Sequence, residues 1–183
     1  MEDADRADVE SMAALAAGDM AALGELAQRH QEKVLALAYR ILGRWDLAED
    51  VAQDVFLQVH RAAKRYRPDA KFTTWLYRVA VNRCLDVQRR AARAPVALPE
   101  QADVLLGESA GDPVEAGERA VRVRRAVADL PPRQRVALVL HRFHEMSHEQ
   151  VARVTGWSQS AVESLLVRAY ARLREELAAL AKG

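Results

Sequence analysis

Cysteine, aromatic residues and long apolar runs are scarce in this chain, and each scarcity excludes a class of protein. A single cysteine, Cys84, excludes a disulfide within the chain and a multi-cysteine zinc site. No apolar run approaches the roughly 20 residues of a membrane span. The acidic start, MEDADRADVE, lacks the apolar segment of a signal peptide. We therefore expect a cytoplasmic protein that makes no direct membrane insertion.

Glycine and proline are also few, with eight and six in 183 residues, and only 5% of the chain is aromatic. Apolar residues recur at spacings of three and four, which is typical of helices. We predict an all-α fold with two small helical domains, an N-terminal helical bundle and a C-terminal helix-turn-helix domain, joined by a flexible linker. The predicted divisions are an acidic tail, frayed or forming a short helix, at 1–18, a first domain at 19–93, a linker at 94–118 and a second domain at 119–183.

Charge alternates along the chain although the total is only +1. The net charge is −7 over residues 1–60, +8 over 61–93, −5 over 94–120 and +5 over 121–183. Blocks of this size indicate different partners for different segments, and the two basic blocks are candidate phosphate-contacting surfaces. Solvated helix faces are the alternative for either basic block taken singly.

Motifs of catalysis occur only as isolated letter patterns. GESAG at 107–111 matches the nucleophile-elbow pattern G-x-S-x-G, but it lies in the predicted linker and not between a strand and a helix. HEMSH at 144–148 matches the letters of HExxH, and the sequence has no phosphate-cradling glycine loop. A helical enzyme or metal protein would have to rely on His141, His144 and His148, and Glu145–Ser147 interrupts the helix between them. We therefore predict no enzyme, no catalytic residue, no metal site and no cofactor.

The stretch 147–170, SHEQVARVTGWSQSAVESLLVRAY, predicts two helices joined by a tight turn. Ser147 and Gln150 have the spacing of a capping box, and Gly156 can adopt the positive φ of a helix end. Ser158 can cap the second helix. This arrangement is typical of a helix-turn-helix, and an ordinary helical hairpin is the alternative.

An acidic face is predicted on the helix that starts near Asp46. It consists of Asp46, Asp50, Gln53, Asp54 and Gln58, with the apolar Leu57 among them. A polar face that includes a leucine suits a protein partner bearing Arg or Lys. A solvated face with one stray leucine is the alternative.

A basic face follows on the helix that runs from Thr73 or Thr74 to about Arg93. Its members recur at spacings of three and four: Lys71, Trp75, Arg78, Asn82, Asp86, Arg89 and Arg93. The loop Tyr66–Lys71 leads into it. Guanidinium groups bind phosphates, amides bind base edges and rings stack on unpaired bases, so this face predicts nucleic-acid binding. Packing in the core is the alternative for Trp75 and Phe72.

Three segments in this order resemble the extracytoplasmic-function sigma factors of bacterial RNA polymerase. They are DLAEDVAQDVFLQVHRA, KFTTWLYRVAVNRCLDVQRR and LPPRQRVALVLHRFHEMSHEQVARVTGWSQSAVESLLVRAYARLRE. The resemblance implies a first domain that binds core RNA polymerase and reads the −10 promoter element. It implies a second domain that reads the −35 element. It also implies an anti-sigma factor as a further partner, besides the polymerase and promoter DNA.

The same resemblance implies residue roles. Core polymerase binding falls on Asp46, Asp50, Gln53, Asp54 and Leu57. Reading of the −10 element, with capture of a flipped base by the loop, falls on Tyr66, Arg67, Lys71, Trp75, Arg78, Asn82, Asp86 and Arg89. Reading of the −35 element falls on Ser158, Gln159, Ser160, Glu163, Ser164, Val167, Arg168 and Arg172. Glu163 and Leu165 depart from the family pattern, in which basic residues are frequent at these positions.

The function that follows is promoter-specific initiation of transcription with help in opening the duplex. A stand-alone helix-turn-helix regulator, with the N-terminal bundle as a sensor or dimerisation domain, is the alternative. The two hypotheses differ in a measurable way, because a stand-alone regulator binds duplex DNA by itself.

Overall fold

The computed structural model describes residues 2–93 and 113–180, and within these ranges the chain is helical with no strand, which confirms the all-α prediction. Residues 94–112, which make up most of the predicted linker 94–118, lie outside the described residues. The helices are α1 (Glu2–Ala16), α2 (Ala21–Leu42), α3 (Trp45–Ala62), α4 (Phe72–Arg93), α5 (Pro113–Ala128), α6 (Pro132–Leu138), α7 (His148–Thr155) and α8 (Gln159–Leu180). A 3-10 turn, Ala63–Arg65, follows α3, and a π-helical segment, Val139–Phe143, continues α6.

The acidic N-terminal segment forms α1 and packs against α2. Met12 and Leu15 are buried there. Gly18 has a φ of 104°, which a side chain would resist, and lets the chain reverse between the two helices. The carboxylate of Asp19 then accepts a hydrogen bond from the N–H of Ala21 at 2.9 Å. The segment is therefore part of the N-terminal bundle.

Helices α2, α3 and α4 form the rest of that bundle. α2 continues unbroken to Gly43, whose φ of 72° and N–H bond to the carbonyl of Tyr39 (2.7 Å) end the helix. Aliphatic side chains at helical spacing fill the core, with Phe72 as its largest fully buried member. Cys84 is a free buried thiol whose pKa is raised to about 12 by burial.

The C-terminal domain contains the predicted helix-turn-helix. Ser147 Oγ accepts from the N–H of Gln150 (3.2 Å), and the side chain of Gln150 accepts from the N–H of Ser147 (2.8 Å). Gly156 has a φ of 75° and closes α7 with a bond to the carbonyl of Ala152 at 2.8 Å. Ser158 Oγ accepts from the N–H of Ala161 (3.2 Å) at the start of α8. The capping chemistry predicted for both helices is confirmed.

The two domains pack against each other. α4 contacts α6 and α7, and α2 contacts the π-helical segment, so buried residues of both domains form one hydrophobic cluster. The rings of Tyr77 and His144 lie 5.1 Å apart across this junction. A guanidinium N–H of Arg135 donates to the carbonyl of Ile41 at 2.8 Å. Within the described ranges, no helix is long and apolar enough to cross a membrane.

Candidate nucleic-acid interface

The first half of α8 presents a polar face to solvent. Val162, Leu166 and Ala169 point into the core and fix the rotation of the helix. All eight residues predicted to read the −35 element are exposed: Ser158, Gln159, Ser160, Glu163, Ser164, Val167, Arg168 and Arg172. Val167 is 69% exposed, and an apolar side chain there suits contact with a thymine methyl group. The face therefore has the side chains of a major-groove reader.

Glu163 is the one acidic member of this face, and it is held by its neighbours. The side-chain amide of Gln159 donates to its carboxylate at 3.4 Å. His148 Nδ1, at the start of α7, lies 3.6 Å from the same carboxylate. A carboxylate so placed can accept from a cytosine amine but repels phosphates.

The basic face of α4 is mostly exposed, but three of its members are engaged in contacts within the protein. Asn82 and Arg89 are exposed, and Arg89 pairs with Asp86. Arg78 is exposed as well, and its guanidinium donates to the main-chain carbonyl of Arg153 in α7. Arg78, a cation of the predicted −10 face, therefore contacts the helix-turn-helix.

Three rings form a cluster where the basic loop enters α4. The ring centroids of Tyr66 and Trp75 are 5.5 Å apart, and those of Phe72 and Trp75 are 5.8 Å apart. Phe72 is fully buried and Trp75 is half-buried, which confirms the packing alternative for Phe72. Trp75 and Tyr66 keep part of their surface open beside the exposed Arg67 and Lys71.

Burial raises the pKa of the Tyr66 hydroxyl, and the charges of Asp5, Asp8 and Asp69 raise it further. That hydroxyl oxygen is buried without a hydrogen-bond partner among the described residues. Tyr66 is thus neutral at physiological pH. Two of the three acids lie on α1, so the N-terminal helix approaches the loop.

The acidic face of α3 is only partly free. Asp46, Asp50, Gln53 and Leu57 are exposed, Leu57 by 43%. A hydrogen bond from Arg44 lowers the pKa of the Asp46 carboxyl. Asp54 is half-buried and bridges to α4, where Arg83 Nε donates to it at 2.7 Å. Asp54 therefore links two helices in addition to its predicted role.

Sequence reasoning missed the contributions that come from distant parts of the chain. Asp5 of α1 accepts from the N–H of Phe72 at the start of α4, and Asp8 of α1 pairs with His30. Tyr77 is buried at the domain junction. Two of the three histidines do meet, since the rings of His141 and His148 are 5.0 Å apart. No three metal-ligating side chains converge within the described parts of the chain.

An all-helical chain with a helix-turn-helix and a second, cation-rich helical face is a two-domain DNA-binding protein. Family models match both domains: Sigma-70 region 2 at residues 26–94 and Sigma-70 region 4 at residues 120–173. The chain is 37% identical over 179 residues to the ECF RNA polymerase sigma factor SigM of Mycobacterium tuberculosis, covering 98% of this chain and 89% of that relative. It belongs to the extracytoplasmic-function family of RNA polymerase sigma factors.

Two solved structures have a fold similar to that of this chain. CnrH, in complex with the cytosolic domain of CnrY, superposes with a TM-score of 0.69 at 31% identity, covering 94% of this chain and 98% of that one. The sigma factor RpoE of Bartonella quintana, in complex with the anti-sigma factor NepR, gives a TM-score of 0.69 at 20% identity, covering 84% and 95%. The second likeness shows the fold alone.

Proposed function

We propose that this chain is a sigma factor that binds core RNA polymerase and directs initiation at promoters with matching −10 and −35 elements. The observation that carries the proposal is the pairing, in one chain, of an exposed recognition face on α8 with an exposed cationic face on α4. These faces lie in the two segments matched by the Sigma-70 region 4 and region 2 models. The protein acts as a binding subunit and needs no reaction of its own.

The −10 role suits the loop Tyr66–Lys71 and the face of α4. Opening a duplex requires unpaired bases to be trapped at a few kcal/mol each. Aromatic surfaces and cations trap them, and the half-open rings of Tyr66 and Trp75 lie beside Arg67 and Lys71. Asn82 and Arg89 extend the contact along the strand.

The −35 role suits the first half of α8. Arg168 is exposed, and its Nε donates to the carbonyl of Ser164 at 3.0 Å, which leaves its other N–H groups available to a ligand. An arginine of this kind can bind guanine O6 and N7 together. Glu163 adds a preference for a base with an exposed amine.

Core polymerase binding suits the exposed part of the acidic face, Asp46, Asp50, Gln53 and Leu57. A leucine with 43% of its surface exposed among acids matches an apolar pocket rimmed by cations. An anti-sigma factor is the expected regulator, because the family resemblance implies one and because CnrH, 31% identical to this chain, was solved in complex with a second protein, the cytosolic domain of CnrY. A sigma factor works where the polymerase is, so we place the protein in the cytoplasm.

The test is a run-off transcription assay with core polymerase, this protein and a library of promoter fragments. Transcripts that start at defined sites only when the protein is present would support the proposal and yield both promoter elements. A protein that supports no transcription but binds duplex DNA tightly by itself would instead be a stand-alone helix-turn-helix regulator.

A further inference from the structure

We infer that Asp5 is a positioning residue for promoter opening, because it holds the start of α4 and the loop that precedes it. The inference rests on the proposed −10 function of the loop Tyr66–Lys71. α1, which carries Asp5, precedes the segments that the two family models match. It nevertheless contacts α4 and the 3-10 turn that leads into the loop.

The N-terminus of α4 is capped from a distance. The first N–H groups of a helix have no acceptor within it, and a side chain just before the helix usually supplies one. Lys71 stands at that place and has no oxygen in its side chain. Instead, the N–H of Phe72 donates to Asp5 Oδ1 at 3.2 Å, across 67 positions of sequence. A negative charge here also suits the positive end of the helix dipole.

A buried polar network fixes α1 in the place that this contact requires. Asp8 is 2% exposed, and His30 Nε2 lies 2.9 Å from both of its carboxylate oxygens. Arg29 pairs with the same carboxylate and donates to Ser11 Oγ at 2.5 Å. Buried charges with this many partners hold their elements in one arrangement, because any shift leaves a charge unpaired.

Phe72 is contacted by two residues of the N-terminal bundle, Asp5 of α1 and His30 of α2. Its N–H bonds to Asp5, and its ring lies 5.4 Å from the ring of His30. The rings of Tyr66 and Trp75 also lie beside the ring of Phe72, with centroid distances of 6.0 and 5.8 Å. The two side chains proposed to trap an unpaired base therefore pack on a residue that α1 holds.

The loop itself has few other anchors. Residues 67–71 are exposed, and among the described residues Arg67 bonds only to the carbonyl of its neighbour Tyr66, at 3.3 Å. A loop that is ordered before binding loses less conformational freedom when it captures a base. Loss of the Asp5 contact should therefore weaken promoter opening and leave core polymerase binding unchanged, since the acidic face of α3 lies on another helix.

The experiment uses holoenzyme assembled with the full-length chain and a promoter that carries 2-aminopurine in the non-template strand of the −10 element. Asp5→Ala removes the acceptor, whereas Asp5→Asn keeps a side-chain oxygen for the N–H of Phe72. Glu10→Ala is the matched control, because Glu10 is an exposed acid of α1 that pairs only with Arg6 among the described residues. For each variant we would measure the fluorescence increase, the run-off yield on duplex and pre-opened templates, and the binding to core polymerase.

We expect Asp5→Ala to slow the fluorescence increase and lower duplex run-off by about 3- to 10-fold, the effect of one lost hydrogen bond. Asp5→Asn and Glu10→Ala should stay close to wild type, a template already open at −10 should restore most of the yield, and core binding should not change. Equal behaviour of Asp5→Ala and Glu10→Ala, with an active wild type, would overturn this inference alone. A wild-type chain that starts no transcript at a defined site would overturn the proposed function and the inference with it.

Discussion

The guanidinium of Arg78, on α4, donates a hydrogen bond to the main-chain carbonyl of Arg153, at the end of α7. One N–H of a cation predicted to contact −10 DNA is thus used between the two domains. The same N–H cannot serve a phosphate at the same time. The other N–H groups of the guanidinium stay able to bind a phosphate, so Arg78 can contact DNA beside this bond or in place of it.

Arg78→Ala should weaken promoter binding by the holoenzyme and lower the salt dependence of binding by about one unit of slope, if Arg78 neutralises one phosphate. Binding of a −10 promoter fragment measured from 50 to 200 mM salt would check this. Arg90→Ala is the control, since Arg90 is exposed on the same helix and lies outside the predicted face. Equal slopes for wild type and Arg78→Ala would contradict the phosphate contact.

Asp50→Lys should lower affinity for core polymerase by at least about tenfold, because it sets a cation against a surface expected to be basic. Asp50 is exposed, so the free energy of unfolding should change by no more than about 0.5 kcal/mol. Asp54 is a poorer choice because its exchange would also break the bridge to Arg83. Association with core polymerase is measured together with thermal unfolding.

Glu32→Lys provides the matched control, since Glu32 is an exposed acid on α2, away from the acidic face of α3. Both variants change the net charge by the same amount. If the two lose affinity equally, the effect is a general one of charge and the assignment of core binding to α3 is wrong.

The helix-turn-helix could be predicted closely because its determinants are local. Caps at Ser147 and Ser158 and a glycine at 156 fix the helix ends, and the spacing of Val162, Leu166 and Ala169 decides which face of α8 is buried. The roles given to the exposed residues stay predictions.

Long-range contacts could not be predicted from the same patterns. Tyr77 lies next to Leu76 on the apolar side of α4, but the pattern does not indicate that its ring, 8% exposed, packs against His144 of the second domain. Asp5 reads as one acid in an acidic tail, and only the folded chain brings it to Phe72. Periodicity reports the rotation of one helix, whereas these contacts depend on where another helix lies.

Arg168→Ala should weaken use of a matched −35 element by about 1–3 kcal/mol if the guanidinium contacts a base, and it should relax specificity at that base pair. Run-off yield on matched and mutated −35 sequences measures both effects. Arg142→Ala is the control, because Arg142 is an exposed cation of the same domain outside α8. A loss that is equal on matched and mutated sequences would make Arg168 a phosphate contact instead.

His144 links the two domains without using all of its hydrogen-bonding capacity. Its ring packs edge-on against Tyr77, and its Nε2 is buried without a partner among the described residues. Burial, and then the positive charges of Arg40 and Lys33, lower the pKa of His144 from 6.5 to about 4. Between these two values, the unfolded chain binds a proton that the folded chain does not.

The stability that neutral His144 contributes is therefore complete above about pH 6.5 and falls away as the pH drops towards 4. His144→Phe keeps a ring against Tyr77 and removes the titration. Between pH 7 and pH 5, wild type should lose roughly 1–2 kcal/mol more of its free energy of unfolding than the variant does. Denaturant unfolding at both pH values measures this difference, and the subtraction cancels the contributions of the groups that both proteins share. Parallel losses in both proteins would show that His144 takes up its proton in the folded state.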